Sequence, residues 1–177
     1  MPSQYVALIR GINVGKARRV AMADLRGMLE DLGYESPRTI LNSGNVVFDA
    51  PKGMPKPAAK LLEGEMEERL GVAAAYTVLS EKELGTILEE NPLLDVADNH
   101  SRLMVSVPAR KADLSKLKPL EKKSWKPEAI RLGRRAAYVW APGGILESEV
   151  MKAVADVLGD ALTSRNWATM LKIAAKL

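Results

Sequence analysis

Short apolar runs and amphipathic segments follow one another in the order β-α-β-β-α-β, and this order occurs twice. No other feature of the sequence limits the fold as strongly, because a split βαβ order closes into few sheet topologies. In the first run, Tyr5–Ile9 reads as a strand, and helical spacing follows at Met22, Leu25, Met28/Leu29 and Leu32, with Gly33 as a left-handed stop. That helix starts without a side-chain cap, since Val20-Ala21 offers no acceptor. Two short strands, Thr39–Leu41 and Val46–Phe48, are joined through Asn42-Ser43-Gly44-Asn45, residues that tolerate the positive φ of tight hairpins. After a proline-rich loop, a helix is predicted over 58–70 with Gly71 as its stop, then a strand over Ala74–Leu79.

Ser80 and Glu83 form a capping-box pattern that opens a linking helix, ended by Asn91-Pro92. The second run has a strand at Leu103–Val107, a short basic helix over 111–118, and a hairpin of Ala129–Leu132 and Ala136–Trp140 about Gly133-Arg134-Arg135. A helix over 148–158 follows, then a vestigial strand at Ala161–Thr163. Trp167, Met170, Leu171, Ala174 and Leu177 give a last helix capped by Asn166 or Ser164. The halves share element order and no residue-level repeat. The expected fold is α+β: two ferredoxin-like halves with antiparallel sheets, plus a linking helix and a C-terminal helix. The expected divisions are a first half over 1–79, a linker over 80–101, and a second half with its terminal helix over 102–177.

Composition narrows the chemistry. Apolar residues make up 47% of the 177 and charged residues 27%, a soluble globular balance. No apolar run approaches the ~18 residues of a membrane span, and no signal-peptide pattern opens the chain. With no cysteine there is no disulfide, thiol nucleophile or zinc–thiolate site, and the single His100, in a polar loop, reads as a surface residue. The expectation is a cytoplasmic protein without metal or cofactor. The net charge of +4 is segregated: residues 1–62 carry +4, residues 63–99 carry −8 and residues 102–135 carry +8. A basic stretch steers toward phosphates, or pairs with the acidic stretch of its own chain.

The sharpest chemical hint is the junction after the first strand, Arg10-Gly11-Ile12-Asn13-Val14-Gly15-Lys16, a glycine loop with a cation at each end. Loops between a strand and a helix often bind anions through free backbone N–H groups. The pattern is neither a nucleotide-triphosphate loop, since three residues separate the glycines and Ala17 follows Lys16, nor a dinucleotide fingerprint. In a ferredoxin-like sheet the third strand lies antiparallel beside the first. This would bring Arg10, Gly11, Asn13, Gly15 and Lys16 to the same rim as Asn42, Ser43, Gly44 and Asn45, a donor cluster without a carboxylate. Such a cluster suits phosphate, sulfate or carboxylate; equally, Arg10 and the asparagines could satisfy loop carbonyls and hold the two turns in shape.

Four segments resemble a bacterial family catalogued as domain of unknown function 1697. They are Arg10–Gly15, Met22–Arg26, Leu41–Phe48 and Thr163–Trp167. The resemblance spans essentially the whole chain and implies a small cytoplasmic α+β protein with ferredoxin-like parts and no established activity. Relative to the family, Lys16 stands where a second glycine is common, Ala21 where a proline is common, and Glu149 near a position that commonly carries a basic residue.

Two further stretches are candidates. Arg165 and Asn166 open the last helix and could meet an anion there, or serve as a cap beside a tryptophan anchor. Lys122, Lys123, Trp125 and Lys126 interleave cations with a ring, with Arg131, Arg134 and Arg135 nearby, as in single-strand nucleic-acid binding. Neither half has the aromatic pairs that RNA-recognition sheets use. Asp24 and Asp31 lie seven apart on one helix face, an ordinary polar side. The leading expectation is therefore binding of a small anionic ligand at the Gly11–Gly15 and Asn42–Asn45 loops. The alternative is a nucleic-acid module using 110–135. A third reading, an enzyme acting on a phosphorylated metabolite through Ser43 or a bound water, lacks a visible general base.

Overall fold

The computed structural model describes residues 2–177. The chain divides into two compact units, a first that runs through Leu84 and includes Lys172–Leu177, and a second, Gly85–Leu171. The fold is α+β, with six helices and two four-stranded antiparallel sheets.

The first sheet has the order β2-β3-β1-β4. Its strands are β1 (Ser3–Arg10), β2 (Glu35–Thr39), β3 (Asn45–Ala50) and β4 (Ala75–Ser80). Helices α1 (Met22–Asp31) and α2 (Ala58–Leu70) pack on one face. Alternation along β1 sends Ala7 and Ile9 into that core with Leu25, Leu29, Phe48, Leu62 and Met66. Val6, Leu8 and Val47, which point the other way, are also fully buried. Burial on both faces explains why the strand reads as a continuous apolar run rather than an alternating one.

The capping box forms as predicted. Ser80 N donates to Glu83 Oε2 at 2.9 Å and Glu83 N to Ser80 Oγ at 3.2 Å, starting α3 (Glu81–Glu89). The second sheet has the order β6-β7-β5-β8. It is built from β5 (Leu103–Pro108), β6 (Ala129–Leu132), β7 (Ala137–Trp140) and β8 (Leu162–Asn166). Between β5 and β6 lie a 3₁₀ helix, Lys111–Leu117, and the short α4 (Lys118–Glu121); α5 (Glu149–Leu158) and α6 (Trp167–Ala174) complete the chain. Ser148 caps α5 by accepting from Met151 N at 3.0 Å. The outer strands of the two sheets are guarded alike: Glu63 accepts from Tyr76 N of β4, and Glu121 accepts from Leu132 N of β6. Occupied edge donors discourage pairing with another chain.

Three elements differ from expectation. The second strand lies at Glu35–Thr39 rather than Thr39–Leu41, and Leu41 instead takes a left-handed φ of 59° in the turn. The basic helix over 111–118 is a 3₁₀ helix, succeeded by α4 with proline in its first turn. The vestigial strand is a full one, pairing with β5 from Pro108↔Leu162 to Met104↔Asn166.

Candidate functional site

Register settles where the two predicted loops go. β1 and β3 are antiparallel with Leu8 opposite Asn45, so the end of one strand meets the start of the other, and Ile9 N donates to Gly44 O at 2.7 Å. The approach is close because residue 44 lacks a side chain. A Cβ there would stand 2.9 Å from both Cβ and O of Ile9 and 3.1 Å from Ile12 Cδ1, with φ at +93°.

Asn13 joins the loops. Its Nδ2 donates to Asn42 O at 2.7 Å and to Val20 O at 2.9 Å, while its Oδ1 accepts from Val20 N at 2.8 Å. Asn45, fully buried, donates Nδ2 to Ile40 O at 2.9 Å and to Ser43 Oγ at 3.1 Å. These two amides therefore hold the turns closed. Arg10 is half-buried at the end of β1, and Asn42 and Ser43 are exposed.

What faces solvent is the tip of the first loop. Among the described residues, the backbone N–H groups of Val14, Gly15, Lys16, Arg18 and Arg19 find no acceptor within the protein, while that of Ala17 closes a turn over Gly15 and Lys16. Lys16, Arg18 and Arg19 are exposed on the same segment, and Arg19 Nη1 donates to Gly15 O at 3.2 Å. No acidic residue occurs between Arg10 and Arg19. Four residues of the loop have positive φ: Gly11, Asn13, Gly15 and Arg18. Reversals of this kind aim successive N–H groups into one concavity, the geometry of anion-binding nests. Left-handed φ at a non-glycine such as Arg18 costs about 1 kcal/mol or more, strain that clusters at functional sites. Gly11 lets the Arg18 guanidinium close over the backbone, with Nη1 3.4 Å from where a Cβ would stand. Sequence reading stopped at Lys16 and missed Arg18 and Arg19; the acid-free run Lys16-Ala17-Arg18-Arg19 was the available signal.

The other candidates separate by their partners. Asn166 Oδ1 accepts from Thr169 N at 2.8 Å, so it caps α6, and Trp167 is buried as the anchor. Arg165 donates to Ser164 O at 3.0 Å, and burial pushes its guanidinium down to about 10. Of the basic 110–135 stretch, Arg134 pairs with Glu90, and Arg135 is buried with Nη1 2.8 Å from Pro108 O. Arg134 stays exposed while paired, whereas Arg135 is withdrawn from any solvated basic face with Lys122. Lys123, Trp125, Lys126 and Arg131 do share a groove of about 270 Å³ with Trp140. The Trp125 indole N–H donates to Leu120 O at 2.7 Å, and Lys123 Nζ lies 5.8 Å from its ring centroid. His100 and the Asp24/Asp31 pair are exposed. Among the described residues, no cluster of three His, Cys, Asp or Glu side chains could hold a metal, and no helix is long and apolar enough to cross a membrane.

Fold and site together define an α+β protein of two antiparallel sheets with a cationic, glycine-bent loop at one sheet's rim. The chain belongs to the family described as "Protein of unknown function (DUF1697)", which matches residues 2–138. No curated protein matches it. Among solved structures it is similar to the conserved bacterial protein SP0830 from Streptococcus pneumoniae. The two share 24% identity with a TM-score of 0.79, over 99% of this chain and 98% of that one. That likeness extends the shared fold across both units.

Proposed function

We propose that the chain is a cytoplasmic binding protein for a small phosphate- or carboxylate-bearing ligand, held by the tip of the 11–19 loop beside Asn42 and Ser43. One observation carries the reading: five backbone N–H groups between Val14 and Arg19 without an internal acceptor, on a segment with three exposed cations and no acid. An oxyanion replaces water on such donors at little conformational cost, because Asn13 already closes the loop. The roles of Asn13 and Asn45 in this reading are to position backbone, and recognition falls to main-chain donors, Lys16 and Arg18.

The test is a thermal melt with inorganic phosphate, pyrophosphate and nucleoside phosphates. A ligand at ten times its Kd stabilises by about 1.4 kcal/mol, which is of order 4 °C for a chain of this size. At the same ligand concentration, Lys16→Gln with Arg18→Gln should remove most of the shift, and Lys122→Gln with Lys123→Gln should leave it intact. No shift for any phosphate compound, or equal shifts in the loop variant, contradicts the proposal.

A second reading is favoured by the Trp125 groove, where three cations surround two rings. A nucleic acid held there would bind oligonucleotides with steep salt weakening. Loss on removal of the Lys123 and Lys126 charges would favour this reading, and salt-insensitive or absent binding would discard it.

A further inference from the structure

A different surface of the second unit carries an assignment of its own. Between the 3₁₀ helix Lys111–Leu117 and the β6–β7 hairpin lies a cleft of about 550 Å³. Its walls are largely apolar, with Ala112 and Leu114 on the helix side and Leu132 on the hairpin side, while Lys111, Lys118 and Arg134 stand at its mouth. That size lies within the range of small-molecule sites, roughly 300–1,000 Å³.

The charge of the helix is not distributed evenly. Asp113, almost fully buried, takes both Arg110 and Lys116 at 3.0 Å. Asp113 thereby holds both cations at a position outside the cleft lining and offsets one of their two charges. Among the described residues, Lys111 and Lys118 have no ion-pair partner within 4.0 Å, and both border the cleft. Arg134 is fixed at the mouth by Glu90, which accepts from its backbone N at 2.9 Å and from its guanidinium. Glu90 attracts Lys111 as well as Arg134, and Glu89 also acts on Arg134, so the three cations at the mouth outweigh the two nearby carboxylates by one.

The hairpin wall is held in place. A Cβ on Gly133 would lie 2.9 Å from Glu90 Oε2 and 3.0 Å from Tyr138 Cε2, so this residue is small because both groups pack beneath it. The hairpin side of this open cleft is thus fixed, while its mouth is bordered by the exposed side chains of Lys111, Lys118 and Arg134.

We infer that this cleft takes an amphipathic anion, an alkyl or aryl body seated against Leu114 and Leu132 with a single carboxylate at Lys111 and Lys118. An inorganic ion would leave the apolar walls wet. A neutral hydrocarbon would gain nothing from the two exposed ammonium groups at its end. A chain of about eight carbons satisfies both, since each buried CH₂ contributes about 0.8 kcal/mol and the head group meets charge-assisted donors. The inference is independent of the loop reading, because it concerns other residues, in the second unit rather than the first.

The test is an amide chemical-shift titration of the full chain with octanoate, octanol and inorganic phosphate. Octanoate should move Ala112, Leu114, Ser115, Leu132 and Gly133, and octanol should bind at least about tenfold more weakly for want of the charge contact. Inorganic phosphate should leave these amides unmoved. Lys111→Glu with Lys118→Glu, two exposed positions, should weaken octanoate by about tenfold or more. Filling the cleft with Ala112→Phe should abolish binding while the rest of the spectrum keeps its dispersion. The assignment is overturned if octanoate moves none of these amides, if octanol binds as well as octanoate, or if the charge reversal has no effect.

Discussion

Replacing Gly44 with alanine should be among the most damaging single-methyl additions in the chain, and the structure allows its cost to be divided. The residue has φ at +93°, where any L side chain is strained by about 1–2 kcal/mol. The new Cβ would also stand 2.9 Å from Ile9 O, and that carbonyl cannot withdraw easily because Ile9 N is bonded to Gly44 O at 2.7 Å within the β1–β3 rim. Overpacking of this kind costs about 1–3 kcal/mol, so Gly44→Ala should destabilise by roughly 2–5 kcal/mol in all. Gly71 supplies the control. It ends α2 with φ at +68°, yet a Cβ there would meet nothing within 4 Å, so Gly71→Ala should lose only the backbone part. Urea unfolding followed by far-ultraviolet circular dichroism measures both, since all three tryptophans lie outside the first unit and would not report on it. A Gly44→Ala protein as stable as Gly71→Ala would refute the claim that the two loops meet at this spacing.

Asn13→Asp should destabilise more than Asn13→Ala, by about 1–3 kcal/mol, because a carboxylate would face Val20 O and Asn42 O where the amide now donates to both; urea midpoints compare the pair. Arg134 donors hold the Glu90 carboxyl below the usual glutamate range. Its contribution to stability is therefore present above the unfolded glutamate value and is lost as pH falls through the lower folded value. The stability gap between wild type and Glu90→Gln should be widest near neutrality and narrow in acid, and a pH-independent gap would contradict the pairing. Asn166→Ala should cost about 1 kcal/mol by uncapping α6, read by thermal melting.

Much of this architecture is legible because its signals are local. The stops at Gly33 and Gly71, the Ser80–Glu83 box and the apolar spacing of α2 depend on neighbours within a turn or two. The antiparallel meeting of β1 with β3 follows once the element order is recognised. The misplaced strands share a cause. Glu35–Thr39 carries polar residues, a proline and an irregular register at the sheet margin, and Leu162–Asn166 is mostly polar. Each is a strand because its neighbour supplies a ladder, and no periodicity announces that. At the candidate site the residue types were legible and their roles were not. An asparagine that bridges two loops and one that offers its amide to a ligand have the same letter; only the distances from Asn13 to Val20 and Asn42 distinguish them. Arg135 has the same letter as a solvated cation, and only its burial against the Pro108 carbonyl sets it apart.

The central claim, that the loop tip is an oxyanion receptor built from main-chain donors, is tested most directly by following the amides of Val14 to Arg19 by NMR while pyrophosphate is added. Saturable downfield shifts confined to these residues and their neighbours at Asn42 and Ser43, weakened but not erased in Lys16→Gln with Arg18→Gln, are the predicted result. Amides that stay where they are at millimolar pyrophosphate, or shifts that vanish entirely with the two side-chain charges, would contradict it.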